Sequence, residues 1–473
     1  MVHALRSRRV ITPHGELDAT VLVEDGLITA VHENSSLASG VSNLPTEDLG
    51  SLALLPGLID VHTHINEPGR TDWEGFATAT RAAAAGGFTT LVDMPLNCLP
   101  ETITVTNLEI KREAIGSQAL VDYALWGGCV DGNQSHLQPL ARAGVPGFKS
   151  FLIYPGCDGF TAIDRANLER ALPHIAATGL PLLVHAELAP TIDAACAHLN
   201  ASTADWRSYA TYLASRPDEA ELEAIEMLLN LCRDAADKGH GFRLHIVHLS
   251  TAKALPLIAA AKREGLPVTA EACPHHLHIT AESIPDGATL FKCTPPIRGA
   301  ANRELLWAAL LDGVIDLIAT DHSPCPPHMK RLTATHPGEE AGRFDQAWGG
   351  IPSLSTAISV IWTECLHREI PLTRLTQWLS AAPAQLAGLS MQLGSIEPGK
   401  QASLIAFDPE ATFTLTPDRL HYRHKISPYL GETLRGEVRS TWLRGQKVFS
   451  RSAAGDVFAD TPHGREHTLS SNL

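Results

Sequence analysis

From Leu54 onward the chain alternates, about eight times, between a short apolar β-rich run and an Ala- or Leu-rich stretch with helical spacing. The runs are "GLIDVHTHI", "FTTLVDMPL", "LVDYALWGG", "VPGFKSFLIY", "LPLLVHAE", "FRLHIVHLS", "LPVTAEACPHHLHIT" and "DLIATDHSPC". Between them lie helical stretches such as "FATATRAAAAGG", "NLEIKREAIGS", "AIDRANLERALPHIAATG", "DEAELEAIEMLLNLCRDAADKG" and "AKALPLIAAAKREG". Runs that are apolar on both faces suit parallel strands covered on both sides. Serial β-α units of this kind close into a barrel or open into a doubly wound sheet. The second option lacks its usual Gly-rich phosphate loop after the first strand. The expected fold is therefore α/β, a (β/α)8 TIM-like barrel, closed by two further helical stretches at about 352–366 and 373–387.

The two ends read differently. "RRVITP" and "DATVLVEDGLITAVHE" read as short strands, with turns at Pro13-His14-Gly15 and Asp25-Gly26. After Gly394 the chain turns β-like again in "ASLIAFDPEATFTL" and "RSTWLRGQKVFS". The simplest assembly pairs both ends in one small β-sandwich domain, residues 1–54 and 390–455, interrupted by the barrel at 55–389. The polar residues 456–473 are expected to form a frayed tail.

Composition narrows the function. A net charge of −15 with no compensating basic stripe argues against a nucleic-acid partner. The N-terminal "MVHALRSRRVITPHGELD" has no apolar stretch of signal-peptide length, and no later window is long enough to span a bilayer. The nine cysteines stand singly, without a C-x-x-C pair, which suggests neither a disulfide framework nor a thiolate zinc site. These features predict a reduced, cytoplasmic protein with no membrane partner.

The chemistry lies at the ends of the runs. His62 and His64, two apart on one strand, project to the same side and could share a metal ion. Alone this means little, because with 23 histidines about one H-x-H pair arises by chance, and "HLH" at 276–278 is another. But the fifth run ends in His185, the sixth in His248 and the eighth in Asp321. The C-terminal ends of barrel strands are where sites form, so these side chains are expected to converge. Lys149 lies within the apolar fourth run, where a lysine is costly to bury. Its head group either reaches a carboxylate, or stays neutral and reacts with carbon dioxide to give a carbamate that can bridge two ions. The residues alone leave both open. His275, His276 and His278 in "EACPHHLHIT" read as structural or supporting residues rather than ligands, and "SPCPPHMK" reads as a loop.

These positions resemble the cyclic amidohydrolases of the amidohydrolase superfamily, and the likeness covers nearly the whole chain. The family pattern is H-x-H after strand one, lysine after strand four, histidines after strands five and six, and aspartate after strand eight. It falls here on His62, His64, Lys149, His185, His248 and Asp321. The longer stretches "HINEPGRTDWEGFATATRAAAAGGFTTLVDMPLN", "KCTPPIR", "TDHSPCPPHMK", "AWGGI" and "YRHKISPYLGETLRGEV" are similar to its allantoinase branch. Dihydroorotases of similar pattern carry an arginine two residues after the second histidine, where this chain has Asn66, and tend to read "MPNT" where this chain reads "MPLN". Hydantoinases lack the "EPGRTDWEG" segment. Tyr154, five residues after Lys149, departs toward the hydantoinase pattern, in which a tyrosine hydroxyl at that place assists the oxyanion.

The resemblance implies two divalent ions, zinc being the expected kind, held by His62, His64 and Asp321 on one side and His185 and His248 on the other. Lys149 would be present as N6-carboxylysine, shared between the ions. Asp321 would be the general base, and the reaction the opening of (S)-allantoin to allantoate in purine and ureide degradation. Asn66, Asn97, Thr294 and Ser323 are candidate contacts to the substrate ring. The segment 324–349 is where a lid or specificity loop would lie. A homotetramer is also implied. Hydantoinase (dihydropyrimidinase) or dihydroorotase activity is the alternative. A non-catalytic assembly protein of the same superfamily is a further one, and a metal assay separates it from the enzyme.

Overall fold

The computed structural model describes residues 2–36, 44–334 and 340–469. The chain opens as an antiparallel meander. β1 (Val2–Thr12) turns at Pro13-His14 into β2 (Gly15–Glu24), and Asp25-Gly26 leads into β3 (Leu27–Glu33). β4 (Thr46–Asp48) and β5 (Ala53–Pro56) then lie parallel to β1.

The barrel follows. Its strands are β6 (Leu58–Thr63), β7 (Phe88–Asp93), β8 (Asp122–Leu125), β9 (Gly127–Gly128), β10 (Phe148–Phe151), β11 (Pro181–His185), β12 (Arg243–Ile246), β13 (Val268–Ala272) and β14 (Leu317–Ile318). β6, β7 and β8 pair in parallel, as do β9 through β14 in order. β8 and β9 are halves of one strand broken at Trp126, whose backbone N–H still bonds to Asp93 O in the neighbouring strand at 3.0 Å. Each of the eight apolar runs thus supplies one barrel strand. The helices cover the outside with their apolar stripes. Asp218–Asp237 buries Ala224, Ile225, Leu228, Leu229 and Cys232, while Asp218, Glu219 and Glu221 in its first turn face the positive end of the helix dipole.

Closure between the first and last strands depends on Asp60. Its Oδ1 accepts from the backbone N–H of Thr320 at 3.0 Å and of His62 at 3.2 Å, and its Oδ2 accepts from the Thr320 hydroxyl. Thr63 and Ile351 both bridge to His322, and His64 N–H reaches His322 O at 2.8 Å. Burial raises the Asp60 carboxyl to about 7, against the hydrogen bonds from Thr320 and His62 that lower it.

Beyond the barrel the chain returns to the first sheet. β15 (Leu404–Thr414) pairs antiparallel with β5, and β16 (Thr433–Leu443), β17 (Gln446–Ser452) and β18 (Gly455–Phe458) extend it. Leu5, Val21, Val23 and Ile28 from one end of the chain pack with Leu404, Ala406 and Trp442 from the other. The two terminal segments therefore share one core.

Two expectations need correction. The run "LPVTAEACPHHLHIT" is a strand only to Ala272; Pro274 then opens a short helix, Pro274–His278, because proline suits a first helical turn and cannot donate to a ladder. Residues 456–469 are not frayed. Glu466 pairs with Arg112, and the backbone of Arg465 and His467 bonds to Tyr123 at 3.0 and 2.7 Å, so the tail lies along β8. Residues 470–473 lie outside the described residues.

Asp60→Ala is expected to lower stability by about 2–4 kcal/mol, because buried donors on two strands lose their acceptor. Asp60→Asn should cost less. Chemical denaturation measures both, and an unchanged midpoint for the alanine variant would remove Asp60 from this role.

Candidate metal centre

The strand ends deliver the candidate ligands to one mouth of the barrel. His62 lies near the end of β6 and His64 one residue past it; Lys149 is in β10, and His185 is the last residue of β11. His248 and Asp321 stand just beyond β12 and β14. The backbone is left-handed at both, with φ of 39° at His248 and 45° at Asp321, and also at Asn66 (67°) and Asn97 (65°). Each such residue costs roughly 1–3 kcal/mol and persists only where the surroundings over-determine it.

The imidazoles meet. His62 Nε2 and His64 Nε2 lie 3.4 and 3.5 Å from Asp321 Oδ1. His185 Nδ1 lies 2.9 Å from His248 Nε2, and the His62 ring is 5.3 Å from that of His248. Phe151 stacks on His185 at 4.6 Å. The nitrogens on the far sides of two rings are held by carboxylates. His62 Nδ1–H donates to Glu271 Oε1 at 2.5 Å, and His185 Nε2–H to Glu187 Oε2 at 2.7 Å. A proton fixed on one ring nitrogen leaves the lone pair on the other, here the one facing the cluster. Burial lowers His62, His185 and His248, so these rings are neutral, the form that binds a cation.

Lys149 is fully buried, and its Nζ has no hydrogen-bond partner among the described residues. It contacts the Phe151 ring at 4.8 Å. Burial lowers its pKa to about 7, although the Glu271 and Asp321 carboxylates act to raise it. It sits close enough to His62, His185 and His248 to depress all three. Of the two sequence readings, a head group resting on a carboxylate is not found among the described residues.

The flanking carboxylates are ionised. Burial alone would raise Glu187, but Arg216 at 2.7 Å and His185 outweigh it and bring it to about 2. Glu271, equally buried, is held well below its ordinary range by His62 and His245. The donor set is thus four imidazoles, one carboxylate and an amine that burial makes easier to deprotonate, with anions behind the rings. It fits hard or borderline divalent cations such as zinc.

Residues 53–448 match the amidohydrolase family. The chain is 48% identical over 446 residues to a protein named allantoinase from Streptomyces avermitilis, covering 94% of this chain and 95% of that one. A second allantoinase, from Arabidopsis thaliana, is 43% identical over 454 residues, 94% of this chain and 87% of that protein. This chain belongs to the amidohydrolase family. Among solved structures, the L-hydantoinase (dihydropyrimidinase) from Arthrobacter aurescens superposes with a TM-score of 0.88 at 29% identity, covering 99% of this chain and all of that one.

In this amidohydrolase the cavity above the cluster is lined by His62, His64, Asn97, His185, His248 and Asp321, together with Thr294, Ser323, Trp348, Gly349 and Gly350. Three of the four expected substrate contacts therefore line it. Asn97 lies 3.3 Å from His64 Nδ1, and Ser323 Oγ donates to Asp321 Oδ1 at 2.8 Å. Asn66 does not line it; its amide is buried and donates to Pro324 O at 3.4 Å. Tyr154 is 60% exposed, with its hydroxyl donating to Asp158 at 2.5 Å, and the adjacent Pro155 lines the cavity instead.

In the segment 324–349, of which 335–339 lie outside the described residues, Trp348 and Gly349 line the cavity wall. Lys330 is buried there and donates to the carbonyls of Lys292 at 3.3 Å, Trp348 at 3.0 Å and Gly350. Gly350 is required sterically, since a Cβ would meet Ser323 O at 2.5 Å. The other family-like stretches bind each other. Glu67 caps the helix at Phe76 N at 2.8 Å, while Glu74 accepts from Arg423 N at 3.1 Å and His424 Nε2 donates to Asp72 O at 2.8 Å.

Sequence reasoning missed Glu271, Glu187, Arg216, Asp60 and Lys330. The argument that singled out Lys149, a charge inside an apolar run, applies equally to Asp60 and Glu271. Glu271→Gln is expected to weaken divalent-metal binding about 10- to 100-fold, because His62 loses its anionic anchor. Competition against a chelator measures this, and an unchanged affinity would show that the anchor is dispensable.

Proposed function

We propose that this amidohydrolase is an allantoinase, hydrolysing the ring amide of (S)-allantoin to allantoate. The observation that carries the substrate is the cavity lining, which holds no lysine or arginine among its described residues. A neutral cyclic ureide suits that surface; dihydroorotate, which carries a carboxylate, would find no partner there. The names of the relatives at 48% and 43% identity support the same reading.

His62, His64 and Asp321 would hold one divalent ion, and His185 and His248 the other, with Lys149 as the N6-carboxylated bridge. The neutral form of the Lys149 amine, which burial favours, is the one that adds carbon dioxide, releasing one proton, and no hydrogen bond among the described residues engages it. When bound, the two ions, proposed to be zinc, would polarise the amide carbonyl and lower the pKa of the attacking water. Asp321 takes a proton from that water as its oxygen adds to the ring carbonyl carbon. Its Oδ1 is steadied by the Ser323 hydroxyl, and burial is outweighed by His62, His64 and His248, which keep the carboxylate ionised. As the ring C–N bond breaks, Asp321 returns the proton to the departing nitrogen. Thr294 and Asn97 flank the ring, and the wall of Trp348, Gly349 and Gly350 limits its size.

Homotetrameric assembly and a cytoplasmic location complete the reading. The first rests on family resemblance, the second on nine cysteines that are all unpaired. No helix among the described residues is long and apolar enough to cross a membrane. The likeness to the L-hydantoinase keeps hydantoin as the competing substrate.

Incubation with allantoin, hydantoin and dihydroorotate side by side tests the substrate; faster turnover of either competitor would overturn allantoin. Lys149→Ala is expected to lose activity and most bound metal, with partial rescue by short carboxylic acids. Asp321→Asn should keep its fold and much of its metal while turnover falls at least about 100-fold, the span of a lost acid-base group. Near wild-type rates in either variant would refute the assigned roles.

A further inference from the structure

A second group of ligand-type side chains closes on itself at the end of β13. Cys273 precedes the short helix Pro274–His278, which carries His275 and His276. Each of the three offers one ligand atom, these atoms all lie within 4.8 Å of one another, and all three residues are buried.

The hydrogen bonding of these rings is incomplete. Neither ring nitrogen of His275 has a partner among the described residues, and neither does Nδ1 of His276. His276 Nε2–H donates to Pro295 O at 3.2 Å, which places the lone pair on the unpartnered Nδ1. The two rings meet edge to face at 4.3 Å. Buried polar groups left without partners cost roughly 1–3 kcal/mol each, and in a folded protein such groups ordinarily face an ion or an ordered water. His278 has a different role. It is clamped between Glu364 at 2.8 Å and Glu432 at 2.7 Å, and these hold it protonated despite its burial.

We propose that Cys273, His275 and His276 form a further cation site, separate from the proposed dinuclear centre, that takes one zinc or similar thiophilic divalent ion. One thiolate and two imidazoles are a soft-to-borderline donor set, and a fourth position is open to water. The ion binds as Cys273 gives up its thiol proton to solvent. It would tie the helix Pro274–His278 to the end of β13, the strand that also carries Glu271. Its role is therefore structural support for the carboxylate that orients His62. The sequence gives no hint of it through a C-x-x-C pair; the ligands are packed into one C-x-H-H turn.

Cobalt distinguishes the two sites. The residues proposed for the dinuclear centre include no sulfur, so a sulfur-to-cobalt charge-transfer band in the near ultraviolet reports on the new site alone. Metal-free protein titrated with Co2+ is expected to develop this band, saturating with a single sulfur-bound cobalt per chain. Cys273→Ser should abolish it and lower the total cobalt bound by one. His275→Gln, read by the same band, carries the test if the serine variant does not fold. A His62→Ala, His185→Ala double variant, which cripples the proposed catalytic centre, should retain the band. Absence of the band in the wild type, or its persistence in Cys273→Ser, would overturn the proposal, whatever becomes of the allantoinase activity.

Discussion

Glu271 is the buried carboxylate on which the geometry of this barrel mouth depends. One of its oxygens receives the His62 ring at 2.5 Å and the backbone N–H of His248 at 3.1 Å; the other receives His245 at 3.0 Å. Strands β12, β13 and β6 are thereby referred to one anion. An ionised carboxylate is expensive to bury unless it is fully engaged, and three donors satisfy it. The same anion fixes which His62 nitrogen faces the cavity. Glu187, held by Arg216, does the equivalent for His185. Both carboxylates lie behind the rings, so each imidazole turns its lone pair toward the same small volume.

The barrel was legible because its strands are buried on both faces and its helices are not, which writes an alternation into the order of residue types. The four histidines and Asp321 were legible for a related reason: an apolar run ending in a metal-competent side chain stands out against its own strand. The supporting residues follow no local rule. Asp60 meets Thr320 across 260 positions and Glu271 meets His62 across 209, so neither pairing leaves a trace in spacing. Asn66 and Tyr154 show the converse. Both sit at suggestive offsets from ligands, but a left-handed turn directs one amide into the loop after strand eight, and the other side chain faces solvent. The tail read as polar and loose because the contacts that hold it, Arg112 with Glu466, Asp122 with the Arg465 N–H and Arg444 with His463 O, join elements far apart in the chain.

The long family-like stretches acquire a physical reason once the fold is seen. "EPGRTDWEG" lies against "YRHKISPYLGET", with Glu74 and Asp72 bonded to Arg423 and His424. Much of the first stretch therefore braces the loop after β6. Trp73 of the same stretch meets Trp348 of the cavity wall edge to face at 4.9 Å. The cavity wall and the scaffold thus share contacts, and a substitution in either stretch would disturb both.

The pairing of β5 with β15 has a consequence for synthesis. Pro56 and Leu404 are register partners, so the edge of the first sheet cannot be covered until nearly the whole barrel has emerged from the ribosome. Through that interval β5 exposes an unpaired backbone row of the kind that recruits foreign strands. A nascent chain stalled within the barrel would present that adhesive edge to its surroundings, which makes prompt completion of the C-terminal strands a safeguard against clumping.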